Sequence, residues 1–173
     1  MKKIDIKVET LNHKSFTSYG TIIGPQDGEP SISNSMLDLW LGTDEIKLKN
    51  GISQICWLEV KSQHSFICDN LECHINSSEA LIPMFGQSII VVGLSEVESD
   101  SSSLPNIKSI KAFFIDGTNG VNFKPGVWHW IPHPLSQKAH FALVFKKGTP
   151  DEDLRIIDLN KELDLSIKLV LEK

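Results

Sequence analysis

The chain has 173 residues and a formal net charge of −5, the balance of 17 basic and 22 acidic side chains. Its 40% apolar and 23% charged content fits a globular protein and excludes a disordered or fibrous chain. With acid in excess and Arg155 as the single arginine, neither nucleic acid nor a membrane surface is expected as a partner.

The first residues, Met1 to Asp5, carry the charge of a signal peptide without an apolar stretch behind it. Ile4 to Val8 alternates apolar with charged residues, the period-2 mark of a half-buried strand. Thr10 is the predicted N-cap of a short helix from Leu11 to Tyr19. Strands are predicted over Ile52 to Val60, Phe66 to His74 and Gln87 to Leu94, each rich in Ile, Val, Phe or Trp and bounded by turn residues. Ile89 to Leu94 is the strongest apolar run and is far too short to span a bilayer. The serine-rich stretch Ser95 to Ser103 reads as a polar loop between strands. Further strands are predicted over Ile107 to Ile115, Val127 to Ile131 and His140 to Lys146, followed by a brief helical turn opening at Pro150. Cys56, Cys68 and Cys73 are odd in number and form no C-x-x-C pair, which suits reduced thiols in the cytoplasm. Many short strands with close turn signals and no internal repeat predict one all-β domain over 1–173. The expected architecture is a β-barrel or jelly roll with one or two short helices.

One segment concentrates the chemistry. Glu72 and His74 are two apart, so on a strand they share a face while Cys73 points the other way. Glu79 follows after four intervening residues, and Gly86 after six more. This spacing resembles the first motif of the cupin superfamily, with Glu72 in place of its first histidine. Lys124-Pro125-Gly126-Val127-Trp128-His129 resembles the second cupin motif. Imidazole and carboxylate suit a divalent transition metal such as Zn, Mn, Fe or Ni. Glu72, His74, Glu79 and His129 are therefore candidate metal ligands. Each also has a plainer reading: a satisfied core histidine, a solvated loop glutamate, a simple Pro-Gly turn. The joint occurrence of both half-motifs on predicted strands favours the pocket. Trp40, Trp57, Trp128 and Trp130 read as core or interface residues.

A closer resemblance runs through most of the chain. Leu71-Glu72-Cys73-His74, Ala80-Leu81-Ile82-Pro83-Met84, Gly120-Val121-Asn122-Phe123 and Val127-Trp128-His129 resemble signatures of the ureidoglycolate lyase family, a cupin-fold group. Phe16 to Ile23 resembles that family's opening helix and strand. The resemblance implies a carbon–nitrogen lyase that cleaves ureidoglycolate to glyoxylate and urea, and a homodimer. The chemistry of that cleavage makes His74 and His129 candidate ligands or catalytic proton-transfer groups, Glu72 and Glu79 ligand or base, and Asn122 and Lys124 candidates to hold the substrate carboxylate. Lys124 reads equally well as a solvated turn residue. Three positions depart from the family pattern: Cys73 stands where the signature has arginine, Glu79 where glutamine is frequent, and Trp130 where a second histidine is frequent. Alternation places Cys73 away from Glu72 and His74, and Trp130 away from His129. Two other functions fit the same residues: a metal-dependent cupin acting on another small hydroxy or keto acid, and a non-catalytic small-molecule-binding cupin.

Overall fold

The computed structural model describes residues 2–62, 65–97, 100 and 103–171. Within the predicted serine-rich loop, residues 98, 99, 101 and 102 lie outside the described residues. Two curled sheets carry most of the chain. The smaller runs Gly20–Ile23, Gly120–Phe123, Glu79–Phe85, Lys138–Lys146, Ser53–Lys61. The larger runs Arg155–Asp158, Asn70–Cys73, Trp128–His129, Ser88–Gly93, Lys111–Ile115, Lys2–Thr10, Leu165–Val170, Ile67–Cys68, with His133–Pro134 also paired to Ser88–Gly93. No described helix is long and apolar enough to cross a membrane.

Ser88–Gly93 explains the arrangement. All six of its residues are buried, so this strand has core on both faces and cannot lie at a surface. Ile90 and Val92 join one apolar cluster with Phe16, Phe113, Phe123 and Phe141, between the sheets. Ile89 and Val91 join a second cluster with Leu71, Cys73, Trp128 and Ile157, behind the larger sheet. A period-2 chain thus divides its side chains between two cores. Burial of the larger aliphatic and aromatic side chains contributes about 1.5–3 kcal/mol each against the conformational entropy of folding.

Several elements differ from expectation. The first helix is a single turn, His13–Phe16, capped by Asn12, whose Oδ1 accepts from the Ser15 N–H at 2.9 Å. Thr10 is not the cap because the first strand runs through it, paired with Phe114. The segment from Phe66 breaks at Asp69 into two short strands, and Ile107–Ser109 is a 3-10 turn before the strand begins at Lys111. Three short α-helices are present among the described residues, against one or two expected. The additional one, Leu159–Leu163, starts at Asp158, whose carboxylate accepts from the N–H groups of Asn160 and Lys161. Leu165–Val170 was not predicted as a strand. It pairs in parallel with Lys2–Thr10, bringing the two ends of the chain side by side.

Candidate active site

Three of the four predicted ligands come from the larger sheet. His129 lies directly opposite Glu72 in the antiparallel pair of Trp128–His129 with Asn70–Cys73. Opposed residues leave the same face of a sheet, and His74, directly after the strand, brings its ring to within 5.1 Å of that of His129. Glu79 comes from the other sheet, where it pairs with Phe123. The site therefore sits between the sheets. A turn fixes it in place: Gly126 adopts φ 82°, and its N–H donates to the His74 carbonyl at 2.8 Å. That left-handed conformation strains any residue with a Cβ, so the Pro125-Gly126 pair serves to clamp one half-motif onto the other.

Both imidazoles are oriented by their own backbone. His74 Nδ1 lies 2.9 Å from the Ser77 carbonyl, and His129 Nδ1 lies 3.0 Å from the Val127 carbonyl. A carbonyl only accepts, so Nδ1 carries the hydrogen in each ring and Nε2 is the atom offered to the cavity. Both Nε2 atoms are buried without a hydrogen-bond partner. The rings meet edge to face with centroids 5.1 Å apart, and Phe123 stacks on His129 at 4.7 Å and 19°. His74 Nε2 is 3.4 Å from Glu79, and His129 Nε2 is 3.7 Å from Glu72 and 3.9 Å from Glu79. One ligand atom each from His74, Glu79 and His129 fall within 4.8 Å of one another, and Glu72 stands just outside this group.

The site holds its charges unequally. Burial, reinforced by the neighbouring Glu79, pushes the Glu72 carboxyl up to about 7. Burial also pulls His129 down to about 4, so it is neutral at physiological pH. For His74, burial opposes the charged form, but the Glu79 carboxylate outweighs it and holds the imidazole above its usual range. Glu79 is the converse: burial raises it, and the two imidazoles outweigh that and lower it. Glu72 has a sharp consequence for stability. Its folded pKa is raised, so the native state binds its proton more tightly than the unfolded chain does. The resulting stability is fully present below about pH 4.5 and lost as pH rises through about 7. Glu72→Gln should therefore be more stable than the parent at pH 8, by on the order of 2 kcal/mol, with the gap closing by pH 4. Parallel urea titrations at both pH values test this, and a pH-independent difference would refute it.

The cavity has a volume of about 210 Å³. Apolar side chains complete its wall, among them Leu58, Leu81, Phe123, Leu143 and Phe145, and no lysine or arginine among the described residues lines it. A sequence model of the ureidoglycolate lyase family matches residues 3–166. The chain belongs to the ureidoglycolate lyase family. The ureidoglycolate lyase of Salmonella typhimurium (strain LT2) is 25% identical over 159 residues, covering 88% of this chain and 94% of that protein. That of Salmonella paratyphi B is 24% identical over the same length. Among solved structures, RmlC from Streptococcus suis in complex with dTDP-D-xylose has a TM-score of 0.40 at 11% identity, covering 55% of this chain and 44% of that one. Oxalate decarboxylase has a TM-score of 0.42 at 15% identity, covering 64% and 25%.

Not every residue singled out by the family resemblance reaches the cavity. Asn122 is buried on the other face of Gly120–Phe123, where its Nδ2 donates to Asp44 Oδ2 at 2.9 Å and the Glu45 carbonyl at 3.1 Å. It holds the 44–45 loop, because on that strand Phe123 takes the cavity face. Lys124 is exposed, and its Nζ donates to the Thr17 carbonyl at 2.5 Å. Trp130, one residue past the end of its strand, packs on the rear core with Trp128 as alternation expects and also borders the cavity. Trp128 is fully buried in the rear core, with Arg155 stacked 5.3 Å from its ring. Cys73 is buried in that same core, and burial pushes its thiol up to about 12, which removes it as a nucleophile. Asp153 was missed by sequence reasoning. Its carboxylate accepts from the N–H groups of Ile75 and Asn76, bracing the loop after His74. A lone aspartate in a turn 79 residues away from His74 carries no local signal of that task.

Proposed function

We propose that the chain is a carbon–nitrogen lyase that cleaves ureidoglycolate to glyoxylate and urea, using a divalent metal held by His74, Glu79 and His129. The observation that carries this reading is the convergence of two buried Nε2 atoms on the Glu79 carboxylate, with His129 Nε2 beyond hydrogen-bond reach of any partner. A buried imidazole nitrogen without a partner is costly unless something fills the position. A carboxylate substrate also needs a positive focus, and no Lys or Arg among the described residues lines the cavity. When bound, a divalent ion would supply that focus and lower the pKa of the carbinol hydroxyl. Glu72 is left free for proton transfer. Held near neutrality and 3.7 Å from His129, it takes the carbinol proton as the carbonyl forms and returns it to the departing urea nitrogen. The C–N bond breaks, the C=O bond forms, and one proton passes from oxygen to nitrogen, with no net redox change.

Glyoxylate release from ureidoglycolate by purified protein tests the activity, and absence of release at any pH from 6 to 9 would exclude it. Elemental analysis tests the ion: protein purified without chelator should contain Zn, Mn, Ni or Fe, and His74→Ala should lose it. An unchanged melting temperature on chelation and on adding each metal back would count against the site.

The same reading includes a homodimer in the cytoplasm. Ser53–Lys61 is the edge of the smaller sheet and exposes Ile55 and Trp57, the latter 63% accessible. His140 bridges Trp57 to the exposed Phe85, making one apolar outer face. A long apolar edge strand left open invites association, and a second copy is the partner it fits. Trp57→Glu should shift the protein to monomer in light scattering. A wild-type monomer at all concentrations would remove the dimer from this reading. The three free thiols suit a reducing compartment.

A further inference from the structure

The polar groups of the cavity all lie toward one wall. Apart from Glu72, His74, Glu79 and His129, the only lining side chains with a donor or acceptor among the described residues are Thr149 and Trp130. The Thr149 hydroxyl is already committed, donating to the Lys146 carbonyl at 2.9 Å. Away from the acid–imidazole cluster the wall is made by Leu58, Ile131, Pro132, Leu143, Phe145 and Leu154. These offer nothing to the terminal amino group of a ureido substrate, which would give up water without replacement. They would instead bury hydrocarbon.

We infer that the site accepts N-acyl-α-hydroxyglycines as a class, with a preference for small apolar acyl groups. This rests on the lyase reading above and deepens it, since ureidoglycolate is the member of the class whose acyl group is carbamoyl. The reaction is the same for every member. The bond from the carbinol carbon to the amide nitrogen breaks, the hydroxyl oxygen becomes the glyoxylate carbonyl, and its proton ends on nitrogen to release a primary amide. No oxidant, reductant or water is consumed. A reaction that hydroxylates the α-carbon of an N-acylglycine is the class of step that would supply such a substrate.

The test compares ureidoglycolate with N-acetyl- and N-isobutyryl-α-hydroxyglycine on the metal-loaded protein. N-acetyl replaces the terminal amino group by methyl at almost constant shape, so it isolates polarity from size. The expected kcat/KM for glyoxylate release rises from ureidoglycolate to N-acetyl to N-isobutyryl, by roughly fourfold per buried methylene. Leu154→Gln, at the rim of the wall and 37% exposed, should lower kcat/KM for the N-isobutyryl substrate more than for ureidoglycolate and so flatten that order. Equal or reversed order with ureidoglycolate cleaved overturns the apolar preference and leaves the lyase reading standing. Calorimetry with the unreactive N-isobutyrylglycine and N-carbamoylglycine separates the other failure. Tighter binding of N-isobutyrylglycine with no glyoxylate from any carbinol upholds the wall's selectivity and sinks the lyase reading. Equal or weaker binding of N-isobutyrylglycine overturns the inference on its own.

Discussion

Replacing His129 by alanine should lower kcat roughly 10²–10⁴-fold, the range for loss of an acid–base step, because the proposed ion loses a ligand and Glu72 loses its neighbour, with a much smaller change in substrate affinity. The ring is placed for chemistry: Nδ1 is tied to the Val127 carbonyl, and Nε2 faces Glu72 and Glu79 in the cavity without a hydrogen-bond partner. An interaction that strengthens as charge develops on the reacting oxygen appears in kcat, and one equally strong in the ground state appears in KM. Cys73→Ser is the matched control. It sits one residue from both Glu72 and His74, yet its side chain lies in the rear core with Trp128. Burying a hydroxyl there should cost stability and leave turnover nearly intact. Glyoxylate assays on both variants decide the matter. Equal damage from the two substitutions would mean that the face assignment of this strand is wrong.

That face assignment was legible because it is local. A strand places residues 72 and 74 together whatever its neighbours do, and cross-strand pairing with His129 adds to a pattern already present. At Trp130 the same reasoning gives part of the answer: the ring packs on the rear core with Trp128, yet past the strand end it also borders the cavity. Alternation was not applied at Asn122, which the family resemblance nominated as a carboxylate anchor. Which side of Gly120–Phe123 faces the cavity depends on Glu79 opposite Phe123 and on the loop carrying Asp44, both far away in sequence. The apolar wall was hidden for a similar reason. Leu58, Leu143 and Phe145 lie on strands predicted as such, but only the order of strands in the smaller sheet brings them to the site. Leu165–Val170 needed a partner from the other end of the chain.

Phe123 joins these levels and should show the second large effect. It is 2% exposed, pairs with Glu79 across the strand, touches Phe16 in the front core and stacks on the His129 ring. Phe123→Ala removes most of a fully buried aromatic and leaves a cavity, so it should cost about 3–5 kcal/mol in urea unfolding. That loss alone would not separate a packing role from a positioning one. Phe123→Leu does, because it keeps much of the volume, at a cost of about 1–2 kcal/mol, while removing the flat face against His129. The imidazole would keep the Val127 carbonyl and the edge contact with His74 but lose its stacked face, and so be freer to tilt. Misplacing a reacting group by a fraction of an ångström is expensive, so kcat for Phe123→Leu should fall roughly tenfold or more, with the fold intact by circular dichroism. Full turnover in a folded Phe123→Leu protein would show that the stack only fills space. A tenfold loss would make the aromatic at the end of Gly-Val-Asn-Phe, rather than the asparagine before it, the residue through which this segment serves the site.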